Sequence, residues 1–144
     1  MVEIRTGRPA DGPRLREIQA AAIAEPWPAL LDTALTGPPP LYVVVDSSDE
    51  PLGYGIVIPD SESVAYLPEL AVDPNRQGEG YGSKLVDAIC DSLEDDGYEQ
   101  LRLTVRAVDE QAREFYREND FETRERLPDH FEDCDGFLLE RTLE

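Results

Sequence analysis

The sequence has almost no lysine: Lys84 stands alone among 13 basic residues, against 32 acidic ones, for a formal charge of −19. A protein that grips nucleic acid needs a basic patch to meet phosphates, so this balance argues against nucleic-acid partners. Cysteine is scarce too. Cys90 and Cys134 lie far apart with no Cys-x-x-Cys spacing, which suggests neither a zinc site nor a disulfide framework, and no metal is expected. No run approaches the roughly 18 apolar residues of a membrane span. The segment "MVEIRTGRPADG" lacks the apolar centre of a signal peptide. The expectation is a soluble, cytoplasmic protein with no membrane partner.

What is present bounds the rest. A chain of 144 residues with 40% apolar content suffices for one core, so residues 1–144 are read as a single domain. Acidic residues are spread along the chain, as in "DSSDE" and "EDDG", rather than gathered in a tail. This pattern reads as a halophilic surface that stays hydrated in molar salt, with attraction of cationic substrates as the alternative.

Periodicity and turn residues give an order of strand, two helices, three strands, helix, strand, helix, two strands. Asp11 is placed to cap the first helix and Asp109 the last. Leu85, Val86, Ile89, Cys90 and Leu93 share one face of a helix that Gly97 ends. Pro68 interrupts the fourth strand, which implies a bulge or a missing donor there.

The most unusual stretch is "AVDPNRQGEGYGSKLV", with Gly78, Gly80 and Gly82 at alternate positions where a strand hands over to a helix. Glycine permits close backbone approach, and the first N–H groups of a helix lack internal partners and carry partial positive charge, so this turn suits an anion. It is neither a P-loop, since no Gly-Lys-Ser/Thr follows, nor a dinucleotide fingerprint, since Ser83 stands at the third glycine of GxGxxG.

Two motifs carry a family resemblance. "Gln77-Gly78-Glu79-Gly80-Tyr81-Gly82", preceded by Val72-Asp73-Pro74, resembles the Q/R-x-x-G-x-G/A signature of the GNAT superfamily of acetyl-CoA-dependent N-acetyltransferases. About thirty residues on, "VRAVDEQAREFYRENDF" resembles that superfamily's second element, V-x-x-x-N-x-x-A-x-x-x-Y-x-x-x-G-F, with Asp109 in place of asparagine and Asp120 in place of glycine. The resemblance covers nearly the whole chain. It implies an α/β fold, a mixed central sheet flanked by helices, with a splayed pair of strands at the cofactor site.

It also implies a site. Amides from Gln77, Gly78, Glu79, Gly80, Tyr81, Gly82 and Ser83 would hold the pyrophosphate of coenzyme A, with Arg76 and Lys84 flanking. Backbone of Leu70, Ala71 and Val72 would pair with the pantetheine arm as an added strand. Asp109 would face the cofactor, accepting hydrogen bonds but donating no amide hydrogen. Tyr116 matches the tyrosine that serves the coenzyme A sulfur, and Glu69 is the first candidate for the base. His130 is a second candidate near the acceptor, and Tyr54 and Tyr66 are candidates to line the cleft. Thr104 stands where alanine-modifying protein acetyltransferases carry a glutamate, which argues against a ribosomal-protein or peptide N-terminus as acceptor. The reaction implied is transfer of acetyl from acetyl-CoA to a primary amine. A non-catalytic acyl-CoA-binding sensor and a longer-chain acyltransferase are the alternatives. A homodimer through edge or C-terminal strands is the superfamily's common assembly, and the oligomeric state here stays open.

Overall fold

The computed structural model describes residues 2–143. Its elements are β1 (Glu3–Thr6), α1 (Gly12–Ala22), α2 (Pro28–Thr36), β2 (Leu41–Val45), β3 (Pro51–Pro59), β4 (Val64–Val72), α3 (Tyr81–Asp95), β5 (Gln100–Arg106), α4 (Glu110–Glu118), β6 (Glu122–Leu127) and β7 (Gly136–Thr142). This is the order the periodicity predicts. The hydrogen-bonded sheet runs β1-β2-β3-β4-β5-β7-β6. Strand β4 pairs parallel with β5, whereas β1·β2, β2·β3, β5·β7 and β6·β7 are antiparallel, so the sheet is mixed.

The chain forms two compact units, Met1–Ile58 with Glu69–Asp91 and Pro59–Pro68 with Ser92–Glu144. In the first, successive strand side chains alternate between faces. Leu41, Val43, Val45, Tyr54, Ile56 and Ala71 meet Leu15 and Ile18 of α1 and Leu31, Ala34 and Leu35 of α2. The opposite face presents Val44 and Leu52 to Leu85 of α3, with Leu70, Val72 and Tyr81 packed alongside. The predicted stripe of α3, Leu85 to Leu93, is buried throughout. Asp11 does not cap α1. Its carboxylate accepts from the Arg8 N–H at 2.9 Å and from Arg5 at 2.8 Å, because those donors precede the helix and Arg5 adds charge.

In the second unit Gly97 ends α3 at φ +87°, and Tyr98 N–H returns to the Leu93 carbonyl at 2.9 Å, as at many helix ends. The parallel register of β4 with β5 covers Val64↔Gln100 to Tyr66↔Arg102; β4 then continues through Pro68 without a break. Leu101, Leu103 and Val105 of β5 are buried. Helix α4 starts as predicted, the Asp109 side chain accepting from Ala112 N–H at 3.0 Å. Asp120 takes φ +68°, so aspartate serves the left-handed turn that glycine would fill. The buried carboxylate of Glu140 on β7 accepts from Arg102 Nε at 2.6 Å, Arg124 Nε at 3.0 Å and Gln100 Nε2 at 3.1 Å.

Candidate active site

Residues Gln77 to Gly80 are exposed and lead directly into α3. Gly78 and Gly80 take φ +84° and +88°, and a Cβ on either would meet no atom within 4 Å. The backbone dihedrals, not crowding, therefore call for glycine, and the turn's surface is left open. Intrahelical bonding begins with Lys84 N–H to the Gly80 carbonyl at 3.1 Å, so the N–H groups of Tyr81, Gly82 and Ser83 precede it at the positive end of the helix.

Side chains brace this turn from below. Asp73 accepts from Asn75 N–H at 3.0 Å and pairs with Arg14 of α1. The backbone bond, and then that guanidinium, hold its carboxyl below the usual range. Gln77 Nε2 donates to the Val72 carbonyl at 3.2 Å, folding the turn back on β4. Arg76 is engaged within the turn: its Nε reaches Glu79 at 3.0 Å, its Nη2 reaches the Tyr81 hydroxyl at 3.1 Å, and it lies 5.5 Å from that ring. Lys84 is exposed.

Upstream on β4, Leu70 and Val72 face α3, while Ala71 packs with the α1 and α2 residues. Gly53 of β3 lies so close that a Cβ there would sit 2.6 Å from the Ala71 carbonyl oxygen, so this approach needs glycine. Glu69 is only 5% exposed. Its Oε1 accepts from Gln19 Nε2 at 2.9 Å and from the Tyr54 hydroxyl at 2.8 Å, and its Oε2 from Trp27 N–H at 2.8 Å. Among the described residues no Lys, Arg or His pairs with it. Three neutral donors thus surround a buried carboxylate, and one acceptor position on Oε2 stays available. Tyr54 does not line a cleft: it is fully buried, because its hydroxyl is needed inside by Glu69. Burial first, then the Glu69 charge and hydrogen bond, push its phenol well above the ordinary value.

The second unit holds the remaining predicted residues. Tyr116 of α4 lies edge-on to Phe115 and Phe121, with ring centroids 5.1 and 5.4 Å away. Burial, and then the charge of Asp109, raise its phenol above the ordinary 10, so it keeps its proton across neutral pH. The Asp109 carboxylate serves as the cap of α4. Tyr66 and Thr104 share a hydroxyl–hydroxyl bond of 2.8 Å. His130 is exposed and edge-on to Phe131 at 4.9 Å. Among the described residues no group of three or more His, Cys, Asp or Glu is placed to hold a metal ion, and no helix is long and apolar enough to cross a membrane.

The first unit thus brings together Glu69 to Val72 and Gln77 to Ser83, and the second brings together Asp109 and Tyr116. Sequence reasoning missed Gln19 and Trp27 as partners of Glu69. One signal was available: Gln19 follows Leu15 by four residues, so a polar amide sits on the apolar face of α1.

The profile of the Acetyltransferase (GNAT) family matches residues 12–121. No curated protein sequence matches. Among solved structures, the chain is similar to Ard1 from Thermoplasma volcanium, with 24% identity, TM-score 0.91 and coverage of 99% of this chain and 98% of that one. It is similar to the ribosomal-protein-S18-alanine N-acetyltransferase from Escherichia coli at 23% identity and TM-score 0.82, covering 100% and 95%. A GNAT family acetyltransferase from Elizabethkingia anophelis with acetyl-CoA bound gives 19% identity and TM-score 0.84, covering 99% and 98%. The family profile runs from the start of α1 to the turn after α4, taking in the glycine turn with β4 and α3 on either side of it, and the chain belongs to the GNAT family of acetyltransferases.

Proposed function

We propose that this protein transfers the acetyl group of acetyl-CoA to a primary amine of a small molecule or peptide, by direct attack and with no covalent enzyme intermediate. The observation that carries this reading is the glycine turn, where two left-handed glycines open the surface in front of the unbonded N–H groups of α3. That array fits a pyrophosphate, which on a chain of charge −19 needs a local field of the opposite sign. The Elizabethkingia relative binds acetyl-CoA, which supports the same donor here.

Gln77 to Ser83 bind the diphosphate, and the backbone of Leu70 to Val72 takes the pantetheine arm as an extra strand. When bound, acetyl-CoA supplies an activated thioester carbonyl. Glu69 accepts the proton of the incoming ammonium, directly or through one water, at the vacant position on Oε2, and the free amine then forms the N–C bond. Tyr116, protonated at neutral pH, donates to the departing thiolate as the C–S bond breaks, and the proton that the new amide nitrogen loses restores the phenol. Asp109 fixes the start of the helix that carries Tyr116. Residues 1–144 act as one catalytic domain, a reading supported by β4 and α3, each of which runs through both compact units. The acidic surface suits a concentrated-salt cytoplasm.

The test is release of free coenzyme A thiol from acetyl-CoA in molar potassium chloride, with pooled polyamines, lysine peptides, free peptide N-termini and amino acids as acceptors. Release above a no-amine control is expected. Binding of acetyl-CoA without release from any pool would favour a sensor, and failure to bind acetyl-CoA would refute the reading of the turn.

A further inference from the structure

We propose that a half-open cavity of about 380 Å³ on the α4, β6 and β7 side of the second unit is a binding site for a small oxyanion, separate from the glycine turn. Arg113, Arg117 and Arg124 line it, beside the buried side chains of Phe121 and Leu139. On a chain with 32 acidic and 13 basic residues this is an unusual gathering.

Arg113 and Arg117 sit one turn apart on α4, where like charges repel. Only one carboxylate, Glu122, lines the cavity, and it pairs with Arg124 at 3.1 Å. Arg113 has no carboxylate partner among the described residues. One of its Nη atoms donates to the Ala107 carbonyl at 3.1 Å, and its guanidinium lies 4.5 Å from the centroid of the Phe137 ring. Those two contacts fix its orientation and leave the other donors of the fork without a protein acceptor. Arg117 is held by Glu114 of its own helix, and Arg124 Nε by Glu140 at 3.0 Å, so each also keeps unused N–H groups.

Arginine forks beside Phe121 and Leu139, with Arg113 held in place, match a phosphate or carboxylate oxyanion, which accepts paired N–H bonds from a guanidinium. The volume suits one small molecule, such as a phosphate monoester or a short carboxylic acid, not a macromolecular surface.

Titration of the full chain with inorganic phosphate, and separately with succinate, at constant ionic strength tests this by amide and arginine Nε–H NMR shifts. Saturable shifts at Phe121 and Thr123 are expected with one or both anions, and which anion saturates identifies the oxyanion class. Arg113→Gln should weaken binding about tenfold, the size of one charge-assisted hydrogen bond. Arg117→Gln, at an exposed position that carries little folding risk, should weaken it several-fold. Arg16→Gln removes the same charge from the first unit and should change nothing. Linear, unsaturating shifts, or Arg113→Gln and Arg117→Gln titrating like the parent, would overturn the proposal. Shifts that disappear in the presence of saturating acetyl-CoA would also overturn it, by making the cavity part of the donor site.

Discussion

Two buried carboxylates, Glu69 and Glu140, are 5% and 4% exposed, yet they are held by opposite means. Glu140 accepts from two arginines and a glutamine amide, so its charge is matched in place. Burial pushes its carboxyl up, and the bonds from Arg102 and then Arg124 outweigh that and leave it below the usual range. Glu69 accepts only from neutral groups: an amide, a phenol and a backbone N–H. Such donors satisfy lone pairs but supply no counter-charge. The ion-paired carboxylate ties β5, β6 and β7 together. The other has no charged partner among the described residues, which is the arrangement the proposed role of Glu69 toward an amine would need.

The sharpest way to break this contrast is Glu69→Gln, which keeps the shape and removes the charge. If Glu69 is the base, kcat should fall roughly 10²–10⁴-fold, the usual worth of a positioned acid or base. The change in acetyl-CoA binding should stay small, as measured by steady-state kinetics beside calorimetry. A loss of stability with kcat intact would make Glu69 structural, like Glu140. Next in size is Tyr116→Phe, which keeps the ring contacts with Phe115 and Phe121 and should lower kcat about 100-fold, with no change in melting temperature. Glu140→Ala should do the reverse. Because Arg102 and Arg124 are 35% and 45% exposed, water partly screens them, and the expected cost is about 2 kcal/mol in denaturant unfolding with turnover preserved.

Gly80→Ala is a smaller perturbation. Its left-handed φ strains any Cβ-bearing residue by about 1 kcal/mol, and KM for acetyl-CoA should rise several-fold while kcat holds. The last is a pH effect. Asp11 and Glu140 have folded-state values depressed below their ordinary 3.8 and 4.5, the first chiefly by the Arg5 hydrogen bonds. Their stabilisation is full above those ordinary values and is lost as pH falls through the lower folded-state ones. The acid limb of thermal stability should therefore flatten in Asp11→Asn and Glu140→Gln.

Much of this was readable in advance, for local reasons. Asp109 caps α4, Gly97 stops α3 and Asp120 makes a left-handed turn because each role depends on a residue's own backbone and its near neighbours. Asp11 misled because two donors, the Arg8 N–H and the Arg5 guanidinium, competed for the same carboxylate, and the charged one came from a strand. Tyr54 misled because alternation gives a strand residue's face but not what waits on that face.

The sequence by itself determined the order of elements, the apolar stripe of α3 and the glycine turn, since periodicity and dihedral preference act over a few residues. Tertiary structure alone decided the β5-β7-β6 order and the meeting of Gln19, Trp27, Tyr54 and Glu69. These residues lie up to 50 positions apart, and only packing of α1 and its loop on β3 and β4 brings their polar groups within bonding distance. Hydrogen bonds act over about 3 Å, so which distant groups share one is settled by the fold and leaves almost no trace in local pattern.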